Sequence, residues 1–119
     1  MAKDDYNVVV FKILTYYYGL MKRRYNFSTE AFEAAISKKD IHDEYFIDIL
    51  WNMANDGLLK GMTFVKAWEG TYILTSDIEY ASITPAGIKC LMENSTMKRM
   101  AEHFKESTEL ISSLIKTVL

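Results

Sequence analysis

The chain has 119 residues, half of them hydrophobic, which suffices for one domain with a buried core and excludes global disorder. Its formal net charge of −2 and sequence pI of about 5.7 lack the basic surplus typical of duplex-binding domains. No segment offers the ~18 apolar residues that cross a bilayer, no signal-peptide pattern opens the chain, and Cys90 has no disulfide partner, so we expect a reduced cytoplasmic setting.

Apolar side chains recur at spacings of three and four between residues 5 and 24, which predicts the first helix. Asp4 and Asp5 at its start and a Lys-Arg-Arg run at its end suit the helix dipole. A second, thinner apolar line lies on the far side and needs a covering partner; it consists of Val8, Phe11 and Tyr18.

Two further helices are predicted before residue 57. Ser28 is a favourable N-cap for a short helix over residues 29–36. After a turn at residues 37–39, we expect Asp40 to cap a third helix that ends at Asp56-Gly57. The core face of the third helix is predicted to consist of Phe46, Ile49, Leu50 and Met53.

The segment after Gly57 has strand propensity at residues 62–65 and again at 78–83. Residues 66–77 would form a wing between these strands, with Gly70 in its turn. The hairpin register stays open, because residues 72–74 could extend either strand. Thr84 followed by Pro85 then predicts the start of another helix.

The last predicted helix runs from about Met97 to residue 119. Its apolar positions alternate in steps of four and three, which is a heptad seam with one polar interruption at Thr108. The seam either docks on the second apolar line of the first helix or pairs with a second copy as an isologous dimer. Its candidate contact residues are Phe104, Ile111, Ile115 and Val118.

This order of elements predicts an α+β, mainly helical fold: a winged helix-turn-helix with a β-hairpin wing and an added long C-terminal helix. Residues 1–95 would form the winged-helix domain, and residues 96–119 would pack on it or on a second chain. A winged helix-turn-helix reads the major groove with its third helix.

The third helix of this chain is poorly suited to that role. From Asp40 to Asp56 there are five acidic residues and no Lys or Arg, and carboxylates near phosphates add repulsion. A solvated acidic face is therefore the favoured interpretation, although the two asparagines could contact adenine edges. The outward face is predicted to present Glu44, Asp48, Asn52 and Asn55.

Other surfaces could bind DNA or protein. Four lysines near the turn and the wing could contact phosphates without reading bases, although such lysines more often serve solubility; they are Lys38, Lys39, Lys60 and Lys66. Ile47 and Trp51 lie on the flank of the third helix. If exposed they would mark a protein interface, but we favour cover by the wing or the last helix.

The sequence does not favour catalysis. It has no phosphate-binding glycine loop and no nucleophile motif. His42, between acidic residues, could combine with one neighbouring carboxylate at most, which is too few ligands for a closed metal site. We predict no catalytic residues, no metal and no cofactor.

Three motifs resemble the YjcQ family, small proteins of Bacillus-type bacteria and their phages. They are residues 6–14 (YNVVVFKIL), residues 56–61 (DGLLKG) and residues 83–89 (ITPAGIK). The resemblance covers the chain up to about Met100 and implies a winged-helix fold and a phage or prophage context. It brings no established activity and no functional residues.

Two function classes follow. The first is a protein-interaction or assembly module, with a regulatory role, whose partner is another protein or a second copy of the chain. The second is a duplex-DNA-binding transcriptional regulator that contacts phosphates through the four lysines. They differ in salt dependence, because counterion release makes only DNA binding fall steeply as salt rises.

Overall fold

The structure is a computed structural model and describes residues 5–119. These residues form six α-helices, α1 (Asp5–Met21), α2 (Thr29–Ile36), α3 (Asp43–Asn55), α4 (Pro85–Glu93), α5 (Ser95–Lys105) and α6 (Leu110–Val118). Four short strands complete the fold, β1 (Leu59–Lys60), β2 (Phe64–Lys66), β3 (Tyr72–Leu74) and β4 (Ser82–Ile83). The predicted α+β, mainly helical class is confirmed.

Helix α1 is the centre of the molecule. Residues 9–17 are all buried, because the other five helices and β4 pack around it. The two apolar lines of its sequence thus both face neighbours. The helix ends at Met21, three residues before the predicted end, and its basic run lies in the following turn. Asp4, predicted at its start, lies outside the described residues.

Helix α2 has the predicted bounds, and the Ser28 hydroxyl accepts a hydrogen bond from the Ala31 amide at 3.2 Å. The predicted cap of α3 is wrong. Asp40 belongs to a 3-10 turn over Lys38–Asp40, and α3 begins only at Asp43. His42 Nδ1 instead accepts from the Glu44 amide at 3.2 Å, because the 3-10 turn ends before an extended Ile41.

The predicted second strand is wrong over most of its length. Residues Ile78–Tyr80 form a 3-10 turn capped by Asp77, and only β4 pairs, with β1. The partner of β2 is β3, which fixes the register left open by the sequence: Phe64 faces Leu74, and Val65 faces Ile73. Gly70 lies in the hairpin turn with φ of 93°, where a side chain would be strained.

The start of α4 follows the prediction. The Thr84 hydroxyl accepts from the Gly87 amide at 2.9 Å and donates to the Gly57 carbonyl at 2.5 Å. Gly87 is buried, and a Cβ there would collide with the Leu58 carbonyl oxygen. The start of α4 can therefore pack this closely on Leu58, the residue before β1, only because residue 87 is glycine.

The predicted long C-terminal helix is wrong, because α5 and α6 are separate helices joined by residues 106–109. The turn contains Thr108, the polar interruption of the seam, and Glu109, whose carboxylate pairs with Lys12 of α1 at 2.7 Å. With the chain turning here, both halves of the seam pack on α1. Phe104 of α5 stacks on Phe11 of α1 with ring centroids 6.3 Å apart.

Candidate functional site

The outward face of α3 is mostly solvated. Glu44, Asp48 and Asn55 are exposed, whereas Asn52 is half-buried and hydrogen-bonded to the Tyr6 phenol. Burial raises the pKa of Tyr6, and the bond from Asn52 opposes part of that rise. The structure thus leaves two carboxylates and one amide of the predicted face available to a partner.

Lys38 and Lys39 lie in the turn between α2 and α3. Lys38 Nζ is 2.7 Å from Asp43 Oδ1 and 5.1 Å from the centroid of the Phe46 ring. The hydrogen bond and charge of Lys38 hold the pKa of the Asp43 carboxyl below its usual value. Both lysines line a groove together with Glu33, Asp43 and Glu109, so their positive charge is locally offset.

Lys60 and Lys66 are exposed, at the ends of β1 and β2, in two different sheets. Neither forms an ion pair with another residue in the range 5–119. Of the four lysines, Lys38 is therefore ion-paired, and Lys39 is exposed in a groove that carries three carboxylates. Lys60 and Lys66 are exposed and unpaired within residues 5–119.

Trp51 is covered by the β2–β3 hairpin. Its ring stacks on Tyr72 of β3, with centroids 4.5 Å apart and planes 19° from parallel. Ile47 is half-buried and packs against the core. Trp51 is therefore covered rather than exposed, as the sequence favoured, and the β2–β3 hairpin covers it.

The opposite face of that hairpin is apolar and exposed. Val65 and Ile73 are cross-strand neighbours, each 51% exposed, and Trp68 in the turn is fully exposed. Adjacent strand residues point to opposite faces, so Tyr72 can cover Trp51 while Ile73 faces solvent. Sequence reasoning missed these three residues, although alternation within residues 72–74 would have indicated them once the register was known.

The four seam residues lie inside the chain. Phe104, Ile111, Ile115 and Val118 are all buried, with α6 packed on α1 and α5. Of the two arrangements that the sequence left open, the structure contains the intramolecular one. These side chains are therefore not exposed to a second chain in this conformation.

The described part of the chain offers few groups for chemistry. No cluster of three or more His, Cys, Asp or Glu residues in it could hold a metal ion. Burial raises the pKa of the Cys90 thiol, which disfavours the reactive thiolate. His42 caps α3, and His103 lies edge-on against the Phe104 ring. No helix among residues 5–119 has the length and apolar character needed to cross a membrane.

Comparison with known proteins gives one finding. A family model described as YjcQ protein matches residues 11–110, which is most of the chain, and confirms the family predicted from the three motifs. No curated protein and no solved structure matches the chain.

Proposed function

The chain belongs to the YjcQ family, and we propose that it is a non-enzymatic winged-helix module that binds another protein. In this proposal α1, α2 and α3 form the helical part, the β2–β3 hairpin is the wing, and the β1–β4 pair joins the wing to α4. The order of these elements and the packing of the hairpin on α3 support it. A phage or prophage origin and a cytoplasmic location are part of the same proposal.

The observation that supports protein binding best is the exposed outer face of the wing. Val65, Trp68 and Ile73 place two aliphatic side chains and one indole in solvent on the β2–β3 hairpin. Tryptophan is enriched among the residues that dominate the binding energy of protein interfaces, and contiguous exposed apolar patches mark interaction sites. The acidic face of α3 would add long-range attraction for a basic partner and repulsion of nucleic acid.

Duplex-DNA binding through phosphates is the second candidate. The exposed Lys60 and Lys66 favour it, since both lack an ion-pair partner within residues 5–119. Lys38 and Lys39 support it less, because three carboxylates share their groove. Lys39, Lys60 and Lys66, which are the lysines of the four without an ion pair in residues 5–119, would release few counterions, so even this candidate implies weak binding.

Site-specific photo-crosslinking tests the first candidate. A photoreactive amino acid at position 68 should crosslink one discrete host or phage protein in cells, whereas the same residue at the exposed position 92 of α4 should not. In the same assay, replacing Val65 and Ile73 by threonine should abolish the crosslink from position 68. Equal crosslinking from positions 68 and 92 would contradict the proposal.

Fluorescence anisotropy with a labelled duplex tests the second candidate. We expect no saturable binding at protein concentrations up to roughly 100 μM at low salt. Non-specific duplex binding typically has a Kd of about 10⁻⁴–10⁻⁶ M even at physiological salt, so a DNA-binding surface would be detected under these conditions. Tight, salt-dependent binding that Lys60→Ala and Lys66→Ala weaken would replace the protein-binding proposal with the DNA-binding one.

A further inference from the structure

A groove on the side of α1 is independent of the proposed wing surface. It has a volume of about 480 Å³ and runs between the C-terminal end of α1 and the 3-10 turn before β4. This volume lies within the ~300–1,000 Å³ range of small-molecule sites. Its walls include Leu20, Met21, Arg23, Glu79 and Tyr80.

Two large apolar side chains are left in solvent at this groove. Tyr80 is 72% exposed and Met21 is 54% exposed, and they come from segments far apart in sequence. The buried Tyr17 and half-buried Phe27 add aromatic surface to the same walls. A concave site lined by aromatic and flexible apolar groups is typical of sites that bind an apolar ring.

Arg23 supplies a cation at a position that glycine normally occupies. The Arg23 amide donates to Leu20 O at 3.1 Å and the Arg24 amide to Gly19 O at 3.0 Å, which together form a Schellman motif at the end of α1. Arg23 therefore takes the left-handed conformation, with φ of 61°, which costs conformational energy that glycine would avoid.

The side chain of Arg23 has no hydrogen-bond or ion-pair partner among residues 5–119. Its backbone conformation is unfavourable, and its guanidinium makes no hydrogen bond or ion pair within residues 5–119. An uncommon backbone conformation kept by a residue with an unused functional group points to a ligand. A guanidinium recognises carboxylates through paired N–H donors.

We propose that this groove binds an aromatic monocarboxylate. The carboxylate pairs with the Arg23 guanidinium, and the aromatic ring lies between the Met21 side chain and the Tyr80 ring. Glu79, on the opposite wall, bears the same charge as the ligand. It therefore keeps the ligand carboxylate on the Arg23 side of the groove.

Titration of the ¹⁵N-labelled full chain with 3-phenylpropionate tests the site. We expect saturable shifts of the Ala81 and Ser82 amides, which lie on the groove, at ligand concentrations up to about 10 mM. The neutral 3-phenylpropionamide should bind about tenfold more weakly, because it cannot form the charge pair with Arg23.

The matched variants are Arg23→Asn and Arg24→Asn. Asparagine tolerates the left-handed conformation, so Arg23→Asn should keep the helix end while weakening 3-phenylpropionate about tenfold, to the level of the amide. Arg24, whose side chain does not line the groove, should be replaceable without effect. The absence of saturable shifts, equal affinity for acid and amide, or wild-type binding by Arg23→Asn would each overturn the proposal.

Discussion

The pair formed by Lys12 and Glu109 should control how the C-terminal helices pack. Lys12 is only 4% exposed although it lies mid-helix in α1, and its ammonium is 4.9 Å from the centroid of the Phe104 ring. The Glu109 carboxylate, 2.7 Å away, is the one carboxylate paired with it among residues 5–119. Glu109→Gln would therefore leave a buried cation with only a neutral partner.

The expected loss of unfolding free energy depends on how deeply each partner of the ion pair is buried. Breaking a fully buried pair costs about 3–5 kcal/mol, but the Glu109 side chain is 43% exposed, so water compensates part of the loss. We expect Glu109→Gln to lower the free energy of unfolding by about 1–3 kcal/mol. Lys12→Met should cost less, about 1 kcal/mol or under, because methionine fills the same space and the freed carboxylate remains hydrated.

Urea unfolding at neutral pH, followed by far-UV circular dichroism, measures both values. Glu106→Gln, in the same turn and exposed, is the matched control and should stay within about 0.5 kcal/mol of wild type. The double variant Lys12→Met/Glu109→Gln should be at least as stable as Glu109→Gln alone, because the buried charge is gone. The reasoning is refuted if Lys12→Met proves more destabilising than Glu109→Gln.

Three further predictions concern stability. Gly87→Ala should lower the unfolding free energy by about 1–3 kcal/mol in urea, because its Cβ would collide with the Leu58 carbonyl. Trp51→Ala should cost about 2–3 kcal/mol and speed amide exchange in the hairpin, because the stack on Tyr72 is lost. Burial, aided by nearby negative charge, raises the pKa of Tyr17 above its usual value, so stability should fall above about pH 10, where only the unfolded chain loses this proton.

Each of these has a matched control. Ala86→Gly at the exposed neighbour of Gly87 should cost about 1 kcal/mol or less through helix propensity alone. Trp68→Ser should change stability by no more than about 0.5 kcal/mol, since that indole is solvated. Tyr17→Phe should flatten the alkaline loss by about 1.4 kcal/mol per pH unit. An unchanged alkaline slope in Tyr17→Phe would show that another group causes the loss.

Local chemistry made several elements predictable. The hydroxyls of Ser28 and Thr84 fix helix starts by accepting hydrogen bonds from amides three residues further along the chain. The prediction that Asp40 caps α3 was wrong, because this segment contains several residues that can cap a helix. Asp40 is instead the last residue of the 3-10 turn. A cap is a local hydrogen bond, but which of several neighbouring residues forms it depends on the direction in which the chain continues.

The candidate surfaces were less predictable. The acidic outward face of α3 could be read from helical periodicity, and its carboxylates are exposed as expected. The exposed Val65 and Ile73 could not, because which strand face is covered depends on the register and on the stack of Tyr72 on Trp51. The heptad pattern correctly indicated apolar positions in both C-terminal helices but wrongly predicted one continuous helix. The same spacing of apolar residues runs through the turn at residues 106–109, so the pattern alone did not reveal the turn.

The sequence alone therefore determined the mainly helical class, the capped starts of α2 and α4, the family and the acidity of α3, because each depends on the identity and spacing of neighbouring residues. Tertiary structure decided the pairing of β2 with β3, the turn at Glu109 and the groove that Arg23 and Tyr80 both line. These features join residues that lie far apart in the chain, and their free energy exists only once α1 has been surrounded by its neighbours.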